Sequence, residues 1–203
     1  MDESAARVVD FYRRHAHRFD TERSRSHFEK GWLDRFAALV SPGGTILDVG
    51  CGMGEPIARY FIERGFPVHG IDSSPEMIDL CRSRFPEHSW QVADMRELSL
   101  GRTFDGIVAW DSFFHLDHDA QRAMFAIFAA HAKPAGPLLF TTGPGHSEAI
   151  GQLWGESLYH ASLAPKEYRQ RLHETGFDVV HHVAEDPACD RHTIWLARRS
   201  EDR

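Results

Sequence analysis

The feature of the sequence that most constrains its fold is a run of glycines directly after a short apolar segment. Residues 45–49 have the pattern of a buried strand, and Gly50, Gly52 and Gly54 follow it at alternate positions. Glycines so close together let a backbone approach a ligand where any Cβ would obstruct it. Ligands of doubly wound sheets bind at the carboxyl ends of the strands. The loop therefore predicts a ligand site at the edge of such a sheet.

Strand and helix patterns alternate along the rest of the chain. Strands are predicted at residues 45–49, 67–71, 90–93, 104–110 and 138–142, with helices between them, and at 177–183 and 193–197. This alternation predicts an α/β fold, a Rossmann-like three-layer sandwich with a mostly parallel sheet. The last two strands are joined by a short loop, so they should pair antiparallel. Residues 143–163 show no clean period.

Two helical stripes, within residues 8–19 and 28–39, precede the first strand, and the 203-residue length fits one domain. We expect a single domain over residues 1–203, with a helical segment at 1–40 and a Rossmann-like core at 45–198. The arginines of the first segment are expected on the solvated face of a helix. They are Arg13, Arg14, Arg18, Arg23 and Arg25.

The composition restricts the kinds of partner that the protein is expected to bind and the cellular compartment in which it is expected. The net charge of −7 argues against a nucleic-acid partner, which requires a basic surface. Apolar runs are too short for a membrane span, and the first 30 residues lack the apolar core of a signal peptide. Cys51, Cys81 and Cys189 lack paired spacing. We therefore expect a cytoplasmic protein without a membrane partner or disulfide framework.

The glycine loop also restricts the kind of ligand. A dinucleotide fingerprint needs a third glycine where Glu55 stands, and a carboxylate there would face a pyrophosphate. A phosphate-binding P-loop is excluded because no Lys-Ser or Lys-Thr follows the glycines. S-adenosylmethionine fits better, since it carries a sulfonium, an ammonium and a single carboxylate. Asp48 and Glu55 are acceptable neighbours for such a cation.

Acidic residues also close the next two strands. Asp72 lies 22 residues after Gly50, about the offset at which a carboxylate accepts hydrogen bonds from ribose hydroxyls. Asp94 closes the third strand, where it is placed to accept from an adenine amino group while Met95 packs on the ring. The alternative for each aspartate is a turn or a helix cap.

These segments resemble the class I S-adenosylmethionine-dependent methyltransferase family, and specifically its small-molecule branch. The resemblance runs from Thr45 to about Arg198. It is carried by Leu47-Asp48-Val49-Gly50-Cys51-Gly52-Met53-Gly54, by Gly70-Ile71-Asp72-Ser73-Ser74-Pro75-Glu76-Met77 and by Ala93-Asp94-Met95.

The resemblance implies a seven-stranded sheet with its last strand antiparallel, and two extra N-terminal helices over the cofactor. It also implies that Gly50 and Gly52 lie against the methionine part near Asp48, that Asp72 binds the ribose, that Ser73 or Met77 borders the adenosine and that Asp94 and Met95 hold the adenine. Tyr12, in a Tyr-x-x-x-Ala pattern, is a further expected contact. Cys51 and Trp110 complete the expected cofactor site.

The methyl acceptor is less defined by the sequence. Residues 110–115 close the fourth strand without an Asn-Pro-Pro-Tyr segment, and paired glutamates typical of protein arginine methyltransferases are absent. Both absences favour a small-molecule acceptor. His115 or Asp111 is the candidate general base, the alternative being structural roles. Candidates for the acceptor pocket are Phe114, His146, Tyr159 and His160.

No metal is expected, because the histidines and aspartates at 115–119 match no ligand spacing. The prediction is an enzyme that transfers a methyl group from S-adenosylmethionine to an O, N or C atom of a small molecule. Alternatives within the fold are aminopropyl transfer, a nicotinamide-dependent reduction and a non-catalytic sensor of the cofactor.

Overall fold

The computed structural model describes residues 3–23 and 28–201. Two helices, α1 (Glu3–Glu22) and α2 (Lys30–Ala37), precede the sheet, as predicted. No helix within the described ranges is both long enough and apolar enough to cross a membrane.

The remaining elements follow the predicted order, with two additional strands between the fifth strand and the last α-helix. They are β1 (Ile46–Val49), α3 (Ile57–Ile62), β2 (Val68–Asp72), α4 (Pro75–Arg84), β3 (Ser89–Val92), β4 (Gly106–Ala109), α5 (His118–His131), β5 (Pro137–Thr142), β6 (Ser147–Leu153), β7 (Glu156–Ser162), α6 (Pro165–Glu174), β8 (Phe177–Asp186) and β9 (His192–Arg199). Short 3₁₀ helices lie at Met95–Glu97, Phe113–His115 and Pro187–Cys189.

The main sheet has seven strands in the order β3-β2-β1-β4-β5-β9-β8. Strands β1 to β5 pair parallel, and β9 pairs antiparallel with both β5 and β8. The predicted mostly parallel sheet with an antiparallel last strand is confirmed. Chain order reverses between β1 and β4, and ligands of such sheets bind at this reversal.

Apolar side chains cover the sheet on both faces. One core contains Phe36 and Phe61 of α2 and α3, and the other contains Phe125 and Tyr168 of α5 and α6. Every residue of β1, β4 and β5 is buried, which explains why these strands are mostly apolar, with Asp48 of β1 as a buried charged exception. The helices and the sheet therefore form the predicted three layers.

Residues 143–163, for which no regular structure was expected, contain the hairpin β6–β7, which forms a second sheet. Its two-residue turn is Trp154-Gly155, with φ of +53° and +82°. Such turns usually carry Asn-Gly or Asp-Gly, so Trp154 conceals the usual signal. Most of β6 is exposed, whereas Leu158 and Tyr159 of β7 pack against α1. The alternation of apolar and polar residues that predicts a strand is therefore weak in this segment of the sequence.

We predict that Gly70→Ala destabilises the protein by about 1–3 kcal/mol, because close-packed side chains cannot accept an added methyl group. A Cβ at Gly70 would lie 2.3 Å from Trp90 Cζ3 and 2.9 Å from Cys51 Sγ. Urea unfolding would measure the loss. Gly31→Ala in α2 is the control, since its Cβ meets nothing within 4 Å and should be neutral or stabilising by at most about 1 kcal/mol. Equal stabilities of the two variants would contradict the packing argument.

Candidate active site

A cavity lies at the reversal of strand order, with α1 across it. It is lined by residues from α1, from the loop after β1 and from the ends of β2, β3 and β4. All eleven residues predicted to bind the cofactor line this one cavity: Tyr12, Asp48, Gly50, Cys51, Gly52, Asp72, Ser73, Met77, Asp94, Met95 and Trp110. Asp111 and His115 line it as well.

The glycine loop passes against the end of β4. Gly50 has a φ of +74°, and a Cβ on it would lie 2.3 Å from Ser112 Cβ. The Gly50 and Cys51 amides donate to the Ile71 carbonyl at 2.8 and 2.9 Å, so the loop is tied to β2. Glycine at position 50 is thus required both by the backbone conformation and by the close approach of the two strand ends.

Asp72 holds this loop from the end of β2. Its Oδ2 accepts from the Gly52 amide at 2.9 Å, and its Oδ1 accepts from the Ser74 amide at 2.8 Å. Burial raises the pKa of Asp72, while these amides oppose the rise. Each carboxylate oxygen has a second lone pair. Asp72 can therefore organise the loop and still accept from a ligand.

Asp48 lies at the base of the cavity without a complete set of partners. Its Oδ2 is buried and has no hydrogen-bond partner among the described residues. Burial, and then the nearby charge of Asp72, raises its pKa to about 8. A ligand cation would relieve both effects, because it favours the ionised form. Trp110 Nε1 is likewise a buried donor without a partner in the described part of the chain.

Asp94 and Arg96 form a tight pair at the end of β3. Arg96 Nε and its backbone amide donate to Asp94 Oδ1, both at 2.9 Å. The Arg96 hydrogen bond is the main cause that holds the pKa of Asp94 below its usual range. Asp94 is therefore ionised and fixed in place, with Met95 beside it on the cavity wall.

The Glu55 carboxylate was expected to repel a pyrophosphate, but in the structure it is paired with arginines. Its Oε1 accepts from Arg59 Nη2 at 2.8 Å and lies 3.7 Å from Arg84 Nε. Two arginines thus balance the carboxylate, and the argument from Glu55 alone loses most of its force. The objection to a pyrophosphate is carried instead by Asp48 and Asp72, because Asp94 and Asp111, like Glu55, are paired with cations.

Tyr12 and His115 join α1 to the segment after β4. His115 Nδ1 lies 2.9 Å from the Tyr159 carbonyl, which can only accept, so Nδ1 carries the proton. His115 Nε2 then accepts from the Tyr12 hydroxyl at 3.1 Å. Burial lowers the pKa of His115 to about 4. The imidazole is therefore neutral near pH 7, with a lone pair at the cavity wall.

Asp111 has both carboxylate oxygens engaged. Oδ1 accepts from His192 Nε2 at 3.0 Å, and Oδ2 accepts from Arg23 Nη2 at 3.1 Å. Burial alone would raise the pKa of Asp111, but His192 and Arg23 hold it below its usual range. The other ring nitrogen of His192 donates to the Cys189 carbonyl at 2.9 Å, so His192 is a cation.

Arg23 and His192 are site residues that the sequence did not reveal. The arginines at 13, 14 and 18 are about half exposed, as expected, and Arg25 lies outside the described residues. Arg23 contradicts the expectation of a solvated face, because its side chain is 20% exposed and lines the cavity. The helical spacing of apolar residues does not by itself predict that the residue directly after α1 contacts the core.

The four residues predicted for the acceptor pocket are not among those that line this cavity. Phe114 and His160 stand with His115 in a ring cluster, with centroids 4.8 to 5.3 Å apart. Tyr159 is buried and its hydroxyl donates to Glu148. His146 stacks instead on His118, with ring centroids 4.5 Å apart.

Comparisons with known proteins agree with this geometry. The family model described as "Methyltransferase domain" matches residues 19–182. A "Putative methyltransferase YqeM" of Bacillus subtilis is 31% identical over 185 residues, 79% of this chain and 70% of that protein. The dTDP-3-amino-3,6-dideoxy-alpha-D-glucopyranose N,N-dimethyltransferase of Streptomyces fradiae is 37% identical over 106 residues, 49% of this chain.

The chain spans only part of the length of several curated relatives. Of the Streptomyces enzyme it covers 41%. Among solved structures, magnesium protoporphyrin IX methyltransferase from Synechocystis has the same fold, with a TM-score of 0.72, 17% identity and 97% of both chains covered. The amino pentose methyltransferase CalS10 from Micromonospora echinaspora gives a TM-score of 0.70 at 19% identity, covering 92% of this chain and 96% of the other. With the family model matching most of its length, this chain belongs to the methyltransferase-domain family.

Proposed function

We propose that this protein binds S-adenosylmethionine in the cavity and transfers its methyl group to an O, N or C atom of a small molecule. The observation that carries the proposal is the buried Asp48 carboxylate, whose Oδ2 lacks a partner among the described residues. The cofactor has an ammonium and a sulfonium to meet such a group. When bound, it supplies the electrophilic methyl group.

Most of the other cavity residues are each assigned to one part of this cofactor: the methionine part, the ribose or the adenine. Gly50 and Gly52 border the methionine part beside Asp48, and Asp72 accepts from the ribose hydroxyls. Ser73 and Met77 border the adenosine, while Asp94 accepts from the adenine amino group with Met95 on the ring face. Tyr12, Cys51 and Trp110 complete the enclosure. Support comes from their shared location around one cavity.

His115 is proposed as the group that receives a proton from the acceptor. Its Nε2 holds a lone pair near neutral pH and is occupied by the Tyr12 hydroxyl, which an acceptor hydroxyl or amine would replace. The neighbouring Asp111 charge favours the imidazolium that results. Asp111 is paired with Arg23 and His192, which hold its pKa below its usual range and make it a poor proton acceptor, so we assign it to positioning.

Acceptor binding is proposed at the rings next to His115. Phe114 and His160 offer flat surfaces there, which suits a compact aromatic or heterocyclic molecule. Tyr159, whose carbonyl accepts from His115, and the exposed His146, stacked on His118, are the further candidates. Names of the relatives, which include a sugar N,N-dimethyltransferase and a "Magnesium-protoporphyrin O-methyltransferase", support a small-molecule acceptor. A cytoplasmic location is also proposed, because all three cysteines are free thiols.

Ligand binding is the first test of the cofactor. We expect S-adenosylmethionine and S-adenosylhomocysteine, but not NAD, to raise the melting temperature, since a ligand at 100 times its Kd adds about 2.7 kcal/mol. Asp72→Asn should lose most of this shift, because an amide offers one acceptor oxygen in place of two. Asp79→Asn, at an exposed position on α4, is the matched control. A shift with NAD alone would refute the proposal.

The pH dependence of stability should reveal Asp48. The pKa of Asp48 is raised to about 8 in the folded protein, against an ordinary value of 3.8. Between these pH values the folded state holds a proton that the unfolded chain has released, so rising pH destabilises the fold. Asp48→Asn should therefore be more stable than the wild type at pH 8, and nearly equal to it at pH 4.

Urea unfolding of the unliganded proteins at both pH values would measure this difference, with Asp79→Asn following the wild type. The same Asp48→Asn variant should bind S-adenosylmethionine more weakly at pH 8. A variant that is less stable than the wild type at pH 8 would show that Asp48 is not a buried charge awaiting a cation.

The role of His115 is tested once an acceptor is known. A metabolite extract incubated with methyl-labelled S-adenosylmethionine identifies the acceptor, and labelled protein or RNA would overturn the proposed class. We expect His115→Gln to slow transfer by about 100-fold or more at saturating cofactor, while cofactor affinity changes little. His17→Gln, at an exposed position on α1, is the control. Equal rates for both variants would exclude His115 as the base.

A further inference from the structure

The cavity contains few groups that can meet an anion. Among the described residues, its lining includes five acidic residues and two arginines. The acidic residues are Asp48, Glu55, Asp72, Asp94 and Asp111, and the arginines are Arg23 and Arg96. The inference below rests on the proposed function, because S-adenosylmethionine brings one carboxylate into this acidic cavity. A carboxylate there needs a cationic partner.

Arg96 is poorly suited to that carboxylate. It lies at the end of β3, and Asp94 accepts from its Nε at 2.9 and 3.0 Å and from its Nη2 at 2.5 Å. Strand β3 is an edge strand, two strands away from β1. The pair is therefore self-contained and lies on the side of the cavity assigned to the adenine.

Arg23 lies on the opposite side, where the methionine part is expected. Its partner Asp111 is next to Ser112, and Ser112 is the residue that a Cβ on Gly50 would strike at 2.3 Å. Ser112 Oγ also donates to the Val49 carbonyl at 2.7 Å. These contacts bring Arg23 to the junction of β1 and β4, beside the glycine loop.

The guanidinium of Arg23 is held at one corner only. Nη2 donates to Asp111 Oδ2 at 3.1 Å and lies 3.5 Å from Glu29 Oε1. Nε and Nη1 have no partner among the described residues, and a guanidinium has five N–H groups in a planar fork. That fork matches a carboxylate in the bidentate manner. The unused donors are therefore the ones that a ligand carboxylate would need.

The local charge balance also favours one more anion. Asp111 accepts from two cations, Arg23 and His192. Glu29 is the other nearby acid, and burial is the main cause that raises its pKa, so its negative charge is disfavoured. The surplus of positive charge at this corner contrasts with the acidic remainder of the cavity.

We infer that Arg23 binds the carboxylate of the methionine part of the cofactor, and that Asp111, held by His192, positions the guanidinium for this contact. Arg23 directly follows α1, the helix that contributes Tyr12 and Phe19 to the cavity wall. A contact between Arg23 and the carboxylate therefore also fastens the end of α1 over the bound cofactor.

Two ligands that differ only in the carboxylate test the inference. Titration calorimetry is carried out with S-adenosylmethionine and with decarboxylated S-adenosylmethionine, which retains the sulfonium and the ammonium. Arg23→Gln should weaken binding of S-adenosylmethionine by about 10- to 100-fold, the range for a hydrogen bond to a charged group, and change binding of the decarboxylated ligand by less than about threefold. Arg23→Lys should give an intermediate loss.

Arg18→Gln is the matched control, because Arg18 lies on α1, which Arg23 directly follows, is half exposed and pairs with Glu22. The double variant Arg23→Gln/Asp111→Asn guards against misfolding, since it removes the buried charge that the single change deprives of one of its two cationic partners. The difference in affinity between the two ligands should be as small for the double variant as it is for Arg23→Gln.

Equal losses for both ligands would overturn the inference and assign Arg23 to the packing of α1. Unchanged binding of S-adenosylmethionine would overturn it as well. A wild type that binds both ligands equally would refute the carboxylate contact and leave the proposed function intact, whereas a wild type that binds neither would refute the proposed function itself.

Discussion

The site depends on the way in which the carboxylate of Asp72 ties three segments together. One oxygen accepts from Gly52 in the loop after β1, and the other from Ser74, whose own hydroxyl caps α4. Parallel strands end at the same edge of a sheet, so the residues after β1, β2, β3 and β4 come within reach of one ligand. Together with the hydrogen bonds from the Gly50 and Cys51 amides to the Ile71 carbonyl, this tie fixes the distance between the glycine loop, β2 and the start of α4.

The electrostatics of the cavity are unfavourable to the empty protein and favourable to a cationic ligand. Burial raises the pKa of both Asp48 and Asp72, and the charge of Asp72 raises the pKa of Asp48 further. Burying carboxylates destabilises a fold unless partners compensate. Arginines compensate Glu55 and Asp94, whereas Asp48 is left to the ligand. The acidic side chain without an arginine partner therefore indicates the part of the cavity in which a ligand cation is expected to bind.

Much of the fold was predictable because its signals are local. The cap residues Ser74 and Asp117 begin α4 and α5, and both are side chains of the expected type. Buried strands such as β5 appear as apolar runs. The hairpin β6–β7 was missed because Trp154 replaces the usual turn residue and β6 is mostly exposed. Arg23 was assigned to solvent because helical periodicity does not report contacts across the chain.

The sequence by itself determined the order of strands and helices, the position of the glycine loop and the acidic residues at the strand ends. These follow from periodicity and from backbone freedom, which act over a few neighbouring residues. Only the tertiary structure decided which charges are paired. Arg23 and Asp111 are 88 residues apart, and Asp111 and His192 are 81 apart. Contacts of that separation depend on how strands and helices pack, and packing determines which carboxylate is left for a ligand.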